Sequence, residues 1–276
     1  MATVGYAAPV RAESARLWYY LRVLRVIAAV EFKAKYTGSA LGYVWSLAKP
    51  LSYFTVLWFI FGRVFRTGIE DFPLYLLIGI VLYTFFVDAC GMALTSIVYR
   101  GELLRRIAFP PIIIPLSVTV TAAITFCVNL IAVAVFIIVS RAWPELDWLL
   151  VLPLLLELYI FVIGVGLLLA STFVRFRDVG PLWELCAQLL LFATPIMYPL
   201  ALLPEWAQRV VLLNPFAQVI QDVRYVMLGD DTPNRIASDV FGGPWGHLLP
   251  IGVAVGVFLL GLFVFLRDAP KLAERL

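Results

Sequence analysis

Six stretches of this chain are apolar over lengths that few environments accommodate. They lie at about Leu41–Phe61 and Phe72–Leu94, within Ile112–Ser140 and Trp148–Phe173, at about Pro181–Pro199, and at Leu248–Leu266. A helix needs roughly 20 apolar residues to cross a bilayer. Backbone N–H and C=O groups in hydrocarbon must pair internally, which leaves helices or closed barrels as spanning structures. A barrel would show short alternating segments, whereas these runs are continuous. Composition agrees: the chain is 63% hydrophobic and 14% charged, against roughly 45–50% and about 25% for a soluble domain. The expected fold is an all-α polytopic membrane protein with six transmembrane helices. Pro50 inside the first run predicts a kink or a late helix start. The chain opens polar and basic, without the apolar core and cleavage site of a removable signal peptide. Cys90, Cys127 and Cys186 are odd in number and lie in apolar runs. They read as small core residues rather than a disulfide framework or metal site.

Residues 1–40 form one region, a cytoplasmic tail followed by an amphipathic helix, and 41–276 the membrane domain. From Ser14, an N-cap by residue type, Leu17, Tyr20, Leu21, Leu24, Ile27 and Ala28 recur at helical spacing. Arg22, Arg25 and Lys33 fall opposite. This pattern suits a helix in the membrane interface; packing against the protein's own core is a compatible reading. Glu31 faces the apolar side, where it needs a basic partner. The following stretch, Lys33 to Pro50, carries Gly38 and Gly42 for a sharp turn. Its Tyr36, Tyr43 and Trp45 suit the headgroup layer.

Charge sets the orientation. Fifteen basic residues fall on one set of helix ends: Arg11, Arg16, Arg22, Arg25, Lys33, Lys35, Lys49, Arg100, Arg105, Arg106, Arg175, Arg177, Arg267, Lys271 and Arg275. Six fall on the other: Arg63, Arg66, Arg141, Arg209, Arg224 and Arg235. The positive-inside rule then puts both termini in the cytoplasm, as an even number of spans requires.

The region 200–246 is too long for a simple loop and too apolar to be solvated throughout. Glu205–Leu213 reads as a short helix that Asn214-Pro215 breaks. Phe216, Val219, Ile220, Val223 and Met227 then recur at helical spacing. Each piece is too short to span, so a re-entrant or interfacial helix pair is expected. Surface helices that merely cover the bundle are the alternative. Gly229–Gly246 reads as an external loop.

Asp88, Glu157 and Glu184 fall inside expected spans. Ionisable groups at that depth are costly and face a cavity or a partner. Asp88 and Glu157 are equally open to lining a hydrophilic route and to structural pairing. Among the aromatics of the first two spans, Tyr53, Tyr83 and Phe86 could line such a route beside them. Sugars present apolar C–H faces to such rings, although packing accounts for most aromatics. The one histidine, His247, stands at the outer edge of the last span. No nucleophile–base set, no catalytic residue, no metal-ligand spacing and no phosphate-binding Gly-x-x-x-x-Gly-Lys-Ser/Thr loop is present. ATP hydrolysis by that device would have to belong to another chain.

The pattern Lys33-x-x-Tyr36-x-x-Ser39-x-Leu41-Gly42-x-x-Trp45-x-x-x-x-Pro50 resembles the start of the membrane subunits of polysaccharide-exporting ABC transporters. These permeases serve O-antigen, teichoic acid, capsule and galactan export. Glu102–Pro111, Phe173–Gly180 with Thr194–Pro199, and Leu213–Phe216 extend the resemblance along almost the whole chain in the same order. The resemblance implies a homodimeric channel with two ABC ATPase subunits beneath it, ATP and Mg being bound by those partners. It implies a lipid-linked glycan substrate, on undecaprenyl diphosphate, moved outward across the bacterial inner membrane. Leu41 and Gly42 would stand at the channel entrance, with Arg22, Arg25, Lys33 and Lys35 attracting either the diphosphate or anionic membrane lipids. Glu102, Arg105, Arg106, Arg175, Arg177 and Asp178 would couple to the ATPase. Trp206, Asn214, Pro215 and Phe216 would belong to an external gate. No nucleic-acid partner is implied. A proton-coupled secondary transporter and a membrane-embedded glycosyl- or acyltransferase are the rival classes. Internal inverted repeats would favour the first, and none is found. Clustered acid, base or metal groups would favour the second, and the acids are scattered.

The topology makes a labelling prediction. Single cysteines in 229–246 should react with an impermeant reagent added outside, and those in 100–106 should not. The reverse pattern would discard the orientation.

Overall fold

A computed structural model describes residues 11–37, 42, 44–65, 68–69, 71–101, 110–229 and 235–275. Among the described residues there is no β-strand. Helix α1 (Arg11–Tyr36) precedes α2 (Val44–Leu57), which passes into a π-helical turn at Trp58–Val64. α3 (Phe72–Tyr99) and α4 (Ile113–Ser140) follow, then a 3₁₀ turn (Leu146–Leu150) running into α5 (Val151–Arg175). α6 (Val179–Ala193), α7 (Glu205–Leu212), α8 (Pro215–Leu228) and the short α9 (Ala237–Phe241) come next. A 3₁₀ turn (Pro244–His247) leads into α10 (Leu248–Arg275).

Among the described residues, five helices are long and apolar enough to cross a membrane: Val44–Val64, Phe72–Tyr99, Ile113–Ser140, Leu146–Arg175 and Trp245–Pro270. The expected span at Pro181–Pro199 differs. Its helix α6 has 15 residues, about 22 Å at ~1.5 Å per residue, short of a hydrocarbon layer of about 30 Å. The cause is local. Thr194 is extended (φ −87°, ψ 138°), as a residue before proline prefers, and Pro195 has no N–H to continue the ladder. Two smaller expectations also change. α1 begins at Arg11, so Ser14 lies inside the helix and does not cap it. Pro50 lies within α2, which starts at Val44 and continues to Leu57, so the helix does not wait for the proline to start.

α3 is buried over most of its length and forms the axis of the bundle. The other spans expose much of their apolar surface. α5 and α10 lie unusually close. A Cβ at Gly164 would stand 2.6 Å from the Phe258 Cα, and one at Gly261 would strike the Gly164 carbonyl. Small residues permit such helix approach in membranes. At one end of this pair Ser171 donates to Asp268 (2.8 Å), whose other oxygen faces Arg175 at 3.8 Å.

α1 uses both of its expected surfaces. Tyr20, Val23, Leu24 and Ile27 pack on Ile97, Ile113, Ile114 and Phe265. Trp18, Val26, Val30, Arg22, Arg25 and Lys33 remain exposed. Glu31 finds its basic partner: Arg100 lies 2.8 Å away, with Ser117 and Thr121 donating at 3.4 Å. Burial pushes the Glu31 carboxyl up from its ordinary range, and Arg100 opposes that shift.

The unwound segment after α6 is held chiefly by Arg224. Arg224 of α8 is fully buried. It donates to Tyr75 O of α3 (3.0 Å), Pro195 O (2.7 Å) and Ile196 O (2.8 Å). Its guanidinium lies 3.6 Å from the centroid of the Tyr75 ring, a cation–π contact. Gly79 provides the space, since a Cβ there would collide with the Arg224 guanidinium. Gln221 also donates to Pro195 O (3.3 Å), and the Tyr75 hydroxyl donates to Tyr198 O (3.2 Å). Each carbonyl left buried and unpaired would cost about 1–3 kcal/mol.

Arg224→Met should therefore lower the thermal unfolding midpoint in detergent well below that of Arg209→Met, which alters an exposed residue of α7. Gly79→Val should do the same by collision. Equal midpoints for the two arginine variants would show that the buried guanidinium is not structural.

Candidate functional site

The end of the bundle that carries α1 holds a cleft of about 1000 Å³ between α2, α3 and α6. Lys49 is one turn into α2 and Asp88 lies on α3; they form an ion pair of 2.5 Å. Both side chains remain partly exposed, at 50% and 31%. A pair this wet contributes at most about 1 kcal/mol to stability, so its placement needs a reason other than folding. Trp45, Trp183, Lys35 and Arg177 also line the cleft, and the Arg177 guanidinium lies 5.0 Å from the Phe173 ring centroid. Cations that suit phosphate oxygens thus share a wall with aromatic faces that suit sugar rings.

The residues expected at an entrance converge here in part. Gly42 takes φ +49°, the left-handed conformation that glycine adopts without strain, and Trp45 N donates to Gly42 O (3.3 Å). Arg22, Arg25, Lys33 and Lys35 are exposed on α1, and Lys35 lines the cleft. Leu41 lies outside the described residues. Tyr53 is exposed on α2.

Tyr83 and Phe86 stand behind the cleft wall, Phe86 against Trp183 (5.9 Å). Both are buried in the core of the chain. The Tyr83 hydroxyl donates to Ala187 O (2.9 Å), and Phe86 stacks on Phe216 (4.8 Å) and Phe161 (5.6 Å). The reason is that α3 is the central helix, so most of its residues meet neighbours rather than a free surface. Glu157 and Asp88 also part. Glu157 lies toward the opposite end of the bundle, in a separate cavity with Gln218, Asp222 and His247.

At that opposite end the expected helix pair is present as α7 and α8. Asn214 caps α8, its side-chain oxygen accepting from Phe216 N (3.1 Å), and Pro215 occupies the first turn, where it needs no hydrogen-bonded N–H. Phe216 anchors α8 on Phe86, while Trp206 is exposed on α7. His247 faces Asp222 at 3.1 Å.

Of the expected coupling residues, Arg177 and Asp178 are exposed in the turn between α5 and α6. Arg175 is engaged by Asp268. Glu102, Arg105 and Arg106 lie outside the described residues. The sequence reading missed Gln218, Asp222, Arg224 and Asp268. Gln221 and Arg224 do follow Ala217 at helical spacing beside the apolar stripe of α8, a signal that their burial could have been read from.

Comparison with known proteins bears on this geometry. Residues 22–228 match the family model described as ABC-2 type transporter. The chain is 30% identical over 205 residues to the O-antigen export system permease protein RfbA of Klebsiella pneumoniae, covering 74% of this chain and 79% of that protein. It is 22% identical over 194 residues to the polysialic acid transport protein KpsM of Escherichia coli, covering 69% and 75%. It is 23% identical over 252 residues to the capsule polysaccharide export inner-membrane protein CtrC of Neisseria meningitidis, covering 89% and 91%.

Burial separates two kinds of aromatic substitution. Phe86→Ala should reduce the yield of folded protein, since removing a buried Phe costs about 3–5 kcal/mol. Trp45→Ala and Lys49→Gln in the cleft should leave yield and unfolding midpoint unchanged while reducing transport. Normal transport in both cleft variants would mean the cleft is not used.

Proposed function

The chain belongs to the ABC-2 type transporter family, and from that membership we propose that it is the permease of an ATP-driven exporter of a lipid-linked polysaccharide. It is a multi-pass membrane transport subunit and not an enzyme, the ATPase of this family being a separate chain. The cargo is a glycan on undecaprenyl diphosphate, moved outward across the bacterial inner membrane. The cleft is the observation that carries this reading. It joins Lys35, Lys49 and Arg177 to Trp45 and Trp183, a combination suited to a diphosphate with sugars attached.

Two copies complete the pathway. Lys49, Asp88 and Glu184 lie within or near the membrane layer and are partly or largely exposed. Charged groups at that depth are tolerated where water or protein covers them, not against lipid. Next to the cleft, α6 exposes Leu182, Leu185, Leu189 and Phe192, and α2 with its π-helical continuation exposes Val56 and Phe59. A second permease set against these apolar faces closes the cleft into a channel. The α7–α8 pair is its external gate, and Arg224 fixes the inner member of that pair.

A proton-coupled route through Asp88 and Glu157 finds less support. Asp88 is neutralised by Lys49, and Glu157 lies in a different cavity.

Depleting the chain should cause a lipid-diphosphate-linked glycan to accumulate on the cytoplasmic side. Its continued appearance outside at normal rate would refute the assignment. Coupling is tested separately. The turn at Arg177 and Asp178 connects α5 to α6, and a push there would move both helices as a unit. Charge reversal at Arg177 and Asp178, or at Glu102, Arg105 and Arg106, should preserve membrane insertion and lower ATPase co-purification or substrate-stimulated hydrolysis. Intact ATPase binding and export would mean these charges only maintain orientation.

A further inference from the structure

A second cavity, of about 490 Å³, lies at the gate end between α5, α8 and α10. Its walls are aliphatic, including Leu154, Ile160, Val226 and Ile236. Leu156 and Val255 line it and are exposed on the outer surfaces of α5 and α10. The opening therefore faces the hydrocarbon around the bundle.

The floor has the opposite character. Gln218 and Asp222 lie one turn apart on α8, both more than nine-tenths buried. Gln218 Nε2 donates to Asp222 Oδ2, and His247 Nδ1 lies 3.1 Å from the same oxygen. Three acceptors are left over. Gln218 Oε1, Asp222 Oδ1 and Glu157 Oε1 are buried with no hydrogen-bond partner among the described residues, although the Gln218 side chain also hydrogen-bonds the Glu157 carboxyl. Native proteins rarely leave such oxygens unpaired, because each has given up its water for nothing.

What would satisfy them is constrained on three counts. The ligand must donate, since all three vacant positions are acceptors. It must not present an anion to them, since two carboxylates face at most one imidazolium. It must tolerate aliphatic walls that open on lipid. A primary ammonium carries three N–H donors, matching three oxygens, and a hydrocarbon tail would fit the walls. We propose that this cavity binds the amine headgroup of a membrane lipid, with Glu157, Gln218 and Asp222 receiving the ammonium and the tail leaving past Leu156 and Val255. The bound lipid bridges α8 to α5 and α10, so it holds the gate helix against the bundle. The inference rests on the cavity alone and is independent of what the chain exports.

The test uses delipidated full-length protein in a neutral detergent, with lipid retention read by native mass spectrometry and stability by thermal unfolding. The probes are phosphatidylethanolamine, phosphatidylcholine and phosphatidylglycerol with identical tails, and free ethanolamine. Phosphatidylethanolamine should be retained at least tenfold better than the other two and should raise the unfolding midpoint. Phosphatidylcholine is the sharp control, being cationic at nitrogen but without N–H donors. Asp222→Asn and Glu157→Gln should abolish the preference. Val255→Trp, which obstructs the mouth without touching the floor, should abolish it while leaving the lipid-free midpoint unchanged. Equal retention of the three lipids would overturn the proposal, with solvent filling the cavity instead. So would a preference that survives both Asp222→Asn and Val255→Trp. Equal protection by ethanolamine would overturn the lipid assignment.

Discussion

A single buried guanidinium decides the geometry at the end of the bundle that carries α7 and α8. After α6 stops at Ala193, the carbonyls of Pro195 and Ile196 in the unwound segment face the interior of the chain rather than water. Hydrocarbon and protein interior offer them no donors. Arg224 offers several in a fixed planar fork, and it spends three on Tyr75, Pro195 and Ile196. A lysine is a flexible point donor and could not reach those carbonyls in the same plane. The consequence spreads outward. α8 is locked to the central helix α3, Gly79 must lack a side chain, and α7 and α9 are arranged around a fixed α8.

Among the described residues, several charged groups follow one rule and a cluster departs from it. Glu31 meets Arg100, Asp88 meets Lys49, and Asp268 meets Ser171 and Arg175. Each of these joins two elements near the end of the bundle that carries α1. The departure is the floor formed by Glu157, Gln218 and Asp222, where oxygens remain unpaired in an apolar cavity. The two ends are thus built differently. One carries a wet, mixed-charge cleft, and the other a tightly fixed helix pair beside a small acceptor-lined pocket. A transporter that takes cargo in at one end and releases it at the other needs such an asymmetry.

Residue pattern alone determined a good deal. Continuous apolar runs, together with the need to pair every backbone group in lipid, left little besides a helical bundle. The break at Asn214-Pro215 and the apolar stripe of α8 were legible because proline chemistry and a 3.6-residue period are local properties. The need of Glu31 for a basic partner was also legible, since an acid on an apolar helix face cannot stand alone. The tertiary structure decided what depends on neighbours distant in sequence. Arg224 looks like one more cation of an external loop until α3 and the unwound end of α6 surround it. That Tyr83 and Phe86 are buried within the chain follows only from α3 being the central helix. Asp88 and Glu157 read alike as acids inside spans until they fall into separate cavities. A hydrophobic pattern tells which face of a helix turns inward, but the identity of the group waiting there is set by contacts across a hundred residues or more, as between Arg224 and Tyr75.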